Sequence, residues 1–327
     1  MWALVLDEYG APFKLTRIPR PTPAAGQVLV RIRASGVNPL DIKIRNGSAG
    51  HAKTHLPAVL GIDLAGVIVA VSPEVTKFKP GDEVYGMTGG VGGLQGSLAE
   101  FATVDADLLA IKPTNLTMRE AAAVPLVFTT AWEGLVDRAN VRAGQKVLIH
   151  GGAGGIGHIA VQLARARGAD VFATGSARQR ELIESLRATA IDYNSTPVEQ
   201  YVAAHTAGEG FDIVFDTVGG ATLDASFNAV RNFDGHVLSS LGWGTHSLAP
   251  LSFRGATYSG IFTLLPLLTG KGRAHHGDIL REATKLAEVG KLTPTLDPHR
   301  FTLETAGKAH EVIQSGNALG KIVIDIN

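Results

Sequence analysis

The sequence predicts an α/β protein of two domains, one β-rich and one built on a doubly wound parallel sheet. Three observations carry this: short β-rich runs in the front third, alternating strands and helices after it, and a strand, glycine turn and helix in succession where the second rhythm begins. At 327 residues the chain has the length of about two typical domains.

From Met1 to about residue 120, the runs Trp2–Leu6, Val28–Ala34, Val67–Val71, Glu83–Tyr85 and Leu98–Val104 are separated by Pro and Gly clusters, as in a barrel or sandwich. Val28, Val30 and Ile32 alternate with polar residues, which a strand with one buried face requires. After Met118 comes a long Ala-rich segment and then the apolar strand Lys146–His150. Further strands are expected at 170–174, 190–193, 212–217, 236–241 and 257–262, with helices near 156–167, 179–187, 197–205 and 223–230 between them. A parallel sheet of this kind presents ligands with the carboxyl ends of its strands. The C-terminal part adds helices over about 278–289 and 303–315 and a last strand, 321–326, expected to return to the first domain. The expected division is residues 1–121 with 268–327, and residues 122–267.

Composition narrows the chemistry. There is no Cys, which excludes disulfides, thiolate nucleophiles and thiolate metal ligands. Lys plus Arg equals Asp plus Glu at 30 each, so no overall charge favours nucleic acid or an anionic membrane, and a small-molecule partner is expected. The N-terminus lacks a basic start and is broken by Asp7 and Glu8, so it reads as a strand and not a signal peptide. The apolar stretches near 121–132 and 261–268 are shorter than the roughly 18 residues that span a bilayer. A cytoplasmic location and no membrane association are expected.

Lys146–His150 runs into Gly152-Ala153-Gly154-Gly155-Ile156-Gly157, followed by an amphipathic segment with Ile159, Ala160 and Leu163. Such glycines let the backbone turn tightly against a pyrophosphate, whose charge meets free N–H groups and the positive end of the helix. The run Gly86–Gly96 breaks that spacing at Gln95 and leads into a β-like segment, so it reads as a loop. Enzymes of NAD place an acid at the end of the second strand; here Thr174-Gly175-Ser176-Ala177-Arg178 has none. Ser176 and Arg178 can both donate to a 2′-phosphate, which favours NADPH. Tyr193, at the next strand end, is a further candidate contact. Arg178 as a solvated arginine and Tyr193 as an ordinary ring are the plain alternatives.

These features, with Gly61-Ile62-Asp63-Leu64-Ala65-Gly66-Val67 and the Lys79-Pro80-Gly81-Asp82-Glu83-Val84 turn, resemble the medium-chain dehydrogenase/reductase superfamily along essentially the whole chain. The segments Val37-Asn38-Pro39-Leu40-Asp41-Ile42-Lys43-Ile44-Arg45, Gly96-Ser97-Leu98-Ala99-Glu100 and His150–Gly155 resemble its zinc-free quinone oxidoreductase branch, which includes zeta-crystallin-like and alkenal/enone reductases. The resemblance implies a GroES-like catalytic domain beside a Rossmann domain, NADPH as cofactor and a homodimer. In zinc alcohol dehydrogenases of the superfamily, a Cys, a His-Glu pair and a further Cys or equivalent stand where this chain has Asn38, Ile62-Asp63 and Leu126. The four cysteines of the structural zinc lobe are missing as well. No metal site is therefore expected; His51 with His55 and His275 with His276 read as exposed histidines in polar, loop-like sequence.

The expected function is hydride transfer to an acceptor whose own conjugation stabilises the developing charge: a quinone, with a 2-alkenal or enone as the alternative. An NADPH-binding scaffold or RNA-binding protein is a reading from another class, unsupported by any basic or aromatic-rich stretch. By resemblance, Thr130, Val218, Leu241 and Gly242 lie near the nicotinamide, and Asn317 and Lys321 are candidates to touch the cofactor. A group near the substrate carbonyl must be positive or donate a hydrogen bond. Asn38 and Lys43 are the candidates, with Asp41 orienting Lys43. Asn38 shaping a turn before Pro39, Asp41 in an ion pair with Lys43 or Arg45, and Asp63 as a buried scaffold acid are equally open.

Overall fold

A computed structural model describes residues 1–326. The chain divides into two compact units, Met1–Thr129 with the segment from Leu264 onward, and Thr130–Thr263.

The Thr130–Thr263 unit holds a parallel sheet of six strands. Across it they run Thr189–Asp192, Asp170–Gly175, Lys146–His150, Ile213–Asp216, His236–Ser239 and Thr257–Gly260. In chain order this is third, second, first, fourth, fifth, sixth, the doubly wound arrangement whose order reverses between the first and fourth strands. Parallel neighbours need crossovers, and helices supply them at Gly157–Ala166, Arg180–Ser185, Val198–Thr206, Ala221–Ala229 and Ala249–Arg254. Leu148, Val214 and Val237 lie on one face of the sheet and pack with Phe211, Leu223 and Phe227. The six strands and the first four crossover helices begin within two residues of their expected positions, while the helix Ala249–Arg254 was not expected. One shift matters for function: the third strand ends at Asp192, which leaves Tyr193 beyond it.

In the other unit, a seven-stranded sheet has Gln27–Gly36 near its centre. That strand pairs antiparallel with Asp63–Val71, Phe101–Asp105 and the C-terminal Val323–Asp325. The last strand thus pairs within the β-rich unit. A smaller sheet joins Lys14–Arg17, Trp2–Leu6 and Ala58–Val59. Lys14–Arg17 is exposed at every position, so it shows no alternation by which a sequence reading could find it.

One segment had no assigned element, and one expectation needs correction. The Ala-rich segment contains a helix, Pro125–Trp132, that continues as a π-helical stretch through Arg138; its apolar residues face all ways, so no periodicity marked it. His275 and His276 do not lie in a loop. They belong to the helix Arg273–Glu288, which starts five residues before the expected Asp278, and His276 is buried. Among the described residues no helix is long and apolar enough to cross a membrane.

Candidate functional site

The glycine turn forms at the carboxyl end of the central strand. Gly152 donates its N–H to the Thr174 carbonyl at 2.8 Å, and Gly154 donates to the Gly151 carbonyl at 2.9 Å. A Cβ on Gly157 would overlap the Gly151 oxygen, and one on Gly152 would come within 2.5 Å of the Ala173 Cβ. Close packing therefore demands glycine at both positions. Gly154 and Gly155 are exposed, Ile156 is half-buried, and the helix opens at Gly157. Backbone N–H groups at an exposed helix start fit a pyrophosphate.

One strand over, no acid follows Gly175. The Ser176 hydroxyl donates to Gln179 Oε1 at 3.2 Å and its N–H donates to the same atom at 2.9 Å, so this serine is engaged in its own turn. Arg178 is exposed, and so is Tyr193. Of the two predicted phosphate donors, Arg178 is exposed, and Ser176 is half-buried with its hydroxyl engaged by Gln179.

Across the sheet's carboxyl edge runs a polar row that sequence reasoning missed. His150 is in register with Asp216, and Asp216 with Ser239; Ala173 pairs with Ile149, which sets Thr174 beside His150. Residues in register on adjacent strands share a face. Thr174 Oγ1 accepts from the Gly151 N–H at 3.2 Å and lies 3.2 Å from His150 Nδ1. Burial pushes the His150 imidazole down to about 4, so it is neutral. Asp216 accepts from the N–H groups of Val218 and Gly219 and from the Ser239 hydroxyl. Four polar side chains at one strand-end level signal such a row, but only once the strand register is known. Of the residues expected near the nicotinamide, Val218 and Gly242 are exposed, Leu241 is half-buried, and Thr130 is buried in its helix.

The other unit contains a second, buried cluster. Asn38 precedes the helix Pro39–Arg45 and is 1% exposed. Its Nδ2 donates to Asp63 Oδ2 at 2.9 Å, and its Oδ1 accepts from Lys321 Nζ. Lys321 also donates to the Val37 carbonyl at 3.0 Å and stands 3.9 Å from Asp63 Oδ2. Asp63 Oδ1 accepts from the Leu126 N–H at 2.9 Å, at the start of the Pro125–Trp132 helix, whose positive end favours an anion. Burial raises Asp63 to about 6 despite the nearby ammonium, and it lowers Lys321.

Asp41 does not orient Lys43. Its Oδ2 accepts from the Asn38 N–H at 2.8 Å, and it is buried while Lys43 is exposed. Residues two apart on a helix face away from each other, which separates the pair. Burial raises Asp41 to about 7, and among the described residues its Oδ1 has no hydrogen-bond partner. Asn38, expected to donate to a substrate oxygen, instead has its carboxamide between Asp63 and Lys321. Lys321, expected at the cofactor, is a buried member of this cluster, while Asn317 is exposed and donates to Ser315 Oγ at 3.0 Å. The signal for Lys321 was its place in an otherwise apolar strand start, Lys321-Ile322-Val323-Ile324.

Comparison with known proteins agrees with this architecture. Residues 24–114 match the family described as alcohol dehydrogenase GroES-like domain, and residues 187–324 the family described as zinc-binding dehydrogenase. A 2-methylene-furan-3-one reductase of Solanum lycopersicum is 36% identical over 91% of this chain and 71% of its own. An NADPH-dependent alkenal/one oxidoreductase, chloroplastic, of Arabidopsis thaliana is 34% identical over 99% of this chain and 79% of its own. The crystal structure of an alcohol dehydrogenase superfamily protein from Novosphingobium aromaticivorans is 58% identical, with a TM-score of 0.98 and full coverage of both chains.

Proposed function

Because the chain belongs to the medium-chain dehydrogenase/reductase superfamily, within its branch of quinone and enone reductases, we propose that it reduces the carbon–carbon double bond of small enones and 2-alkenals with NADPH. That it is an oxidoreductase follows from the family itself. The observation that carries the finer reading is the glycine turn, closed too tightly for a Cβ at Gly152 or Gly157, with an exposed Arg178 and no acid at the next strand end.

When bound, NADPH supplies a hydride to the electron-poor carbon of the acceptor. The chain's own groups have the remaining tasks. N–H groups of Gly155 to Gly157 would meet the pyrophosphate, Arg178 would meet the 2′-phosphate as a charge-assisted donor, and Val218, Leu241 and Gly242 would border the nicotinamide half. The exposed Lys43 ammonium is the group we assign to the carbonyl oxygen, where negative charge grows as hydride arrives on the β-carbon. Asn38, Asp63 and Lys321 act as scaffold for the helix that carries Lys43.

We further propose that the reaction runs without a metal. The chain has no thiolate to offer, and Lys321 brings a fixed cation to the Asn38 and Asp63 positions, where a second cation would be repelled. Conjugation in the acceptor then takes over the part a Lewis acid plays with simple alcohols. Quinones meet the same electronic requirement and are the second substrate class. A panel of 2-alkenals, enones, ortho- and para-quinones and simple alcohols, each tried with NADPH and with NADH, tests the reading. Enones and alkenals with NADPH should turn over fastest; a preference for simple alcohols would refute it.

A further inference from the structure

The loops after the fourth and fifth strands of the parallel sheet are governed by one buried acid. Asp216 is fully buried, and Oδ1 accepts from the Val218 N–H at 3.0 Å and the Gly219 N–H at 2.9 Å. Oδ2 accepts from the Ser239 hydroxyl at 2.7 Å, and Ser239 Oγ in turn accepts from the Leu241 N–H at 3.1 Å. Three backbone N–H groups from two loops thus face inward. Gly219 has φ +82°, and a Cβ there would lie 2.7 Å from the Leu241 carbonyl oxygen, so the loops touch as well. With its N–H drawn to Asp216, Val218 turns its side chain out, 51% exposed.

A doubly wound sheet accommodates one nucleotide half over the first three strands and the other over the next three. The glycine turn and Arg178 belong to the first half; Val218, Gly219 and Leu241 belong to the second. An apolar side chain held outward at that place offers a face to a flat ring.

We propose that Asp216, acting through Ser239, is a positioning residue for the nicotinamide half of the cofactor. One carboxylate sets the loop after its own strand and the loop after the next, while the adenosine half is held independently. The proposal rests on NADPH being the cofactor.

The test compares dissociation constants of NADPH and of 2′,5′-ADP, which carries the adenosine half alone, for the full-length protein and two variants. Asp216→Asn should weaken NADPH by about tenfold or more, the scale of a lost hydrogen bond to a charged group, and leave 2′,5′-ADP within about twofold. Ser239→Ala should move NADPH in the same direction by less, and it carries the test if Asp216→Asn does not fold. Equal losses for both ligands would mean a general structural role and overturn the proposal. Unchanged NADPH binding in a folded variant would do the same. A wild-type protein that prefers NADH and ADP over the phosphorylated pair would overturn the cofactor choice alone, and the comparison is then read with NADH and ADP.

Discussion

Asn38 and Lys321 stand 283 residues apart in the chain and share a buried hydrogen bond, Lys321 Nζ donating to Asn38 Oδ1. The other end of the carboxamide donates to Asp63, so an amide bridges an acid and a base in the interior. Either charge alone would be costly there; together, with the amide between them, each has a partner. The same contact ties the C-terminal strand to the helix Pro39–Arg45.

Removing the cation should therefore harm stability sharply. Lys321→Met leaves Asp63 buried without a counter-charge, and a loss of about 3–5 kcal/mol is expected in urea unfolding. Adding Asp63→Asn to Lys321→Met should recover part of it. A single variant as stable as wild type would show that the pair does not matter.

Burial raises Asp41 to about 7 and Asp63 to about 6, so the folded protein keeps protons that the unfolded chain releases from about pH 4 upward. By linkage, the stability these acids contribute is present at low pH and declines as pH rises to about 7. Asp41→Asn stays neutral throughout, so its stability relative to wild type should increase between about pH 4.5 and 7.5. His150 and His310, both lowered to about 4 by burial, slope the other way, but they are common to both proteins and cancel in the difference. Urea midpoints of the two proteins at both ends of that range decide the matter; a constant gap would contradict the raised acid.

Lys43→Ala should slow enone reduction by about a hundredfold, the scale for losing one donor to a developing oxyanion. NADPH affinity should stay unchanged, because the role proposed for Lys43 is at the substrate oxygen. Steady-state kinetics with a separate fluorescence titration of NADPH separates these effects, and unaltered kcat would remove Lys43 from the chemistry.

Arg178→Ala should weaken NADPH binding by about tenfold or more and leave NADH nearly untouched, since only the 2′-phosphate gains from the guanidinium. Titrations with both cofactors check it. Equal losses for the two would take away the case for NADPH.

What the sequence made legible was local. The glycine turn, its flanking strand and helix, and the missing acid before Arg178 all lie within about 30 residues, and period and spacing suffice to read them. The row Thr174, His150, Asp216 and Ser239 was hidden because each member comes from a different strand, and only register aligns them. Asn38 with Lys321 was hidden by sequence separation. Asp41 and Lys43 were wrongly paired, because the segment was taken as a motif without its helical geometry, which turns neighbours two apart to opposite sides.

Product analysis distinguishes reduction of a conjugated double bond by NADPH without a metal from every other outcome. The protein, a 2-alkenal, NADPH deuterated at C4 and an excess of a metal chelator are incubated, and the product is read by NMR. Expected is a saturated aldehyde with deuterium on the β-carbon and a rate the chelator does not change. An allylic alcohol with deuterium on the carbonyl carbon, or loss of activity to the chelator, would contradict it.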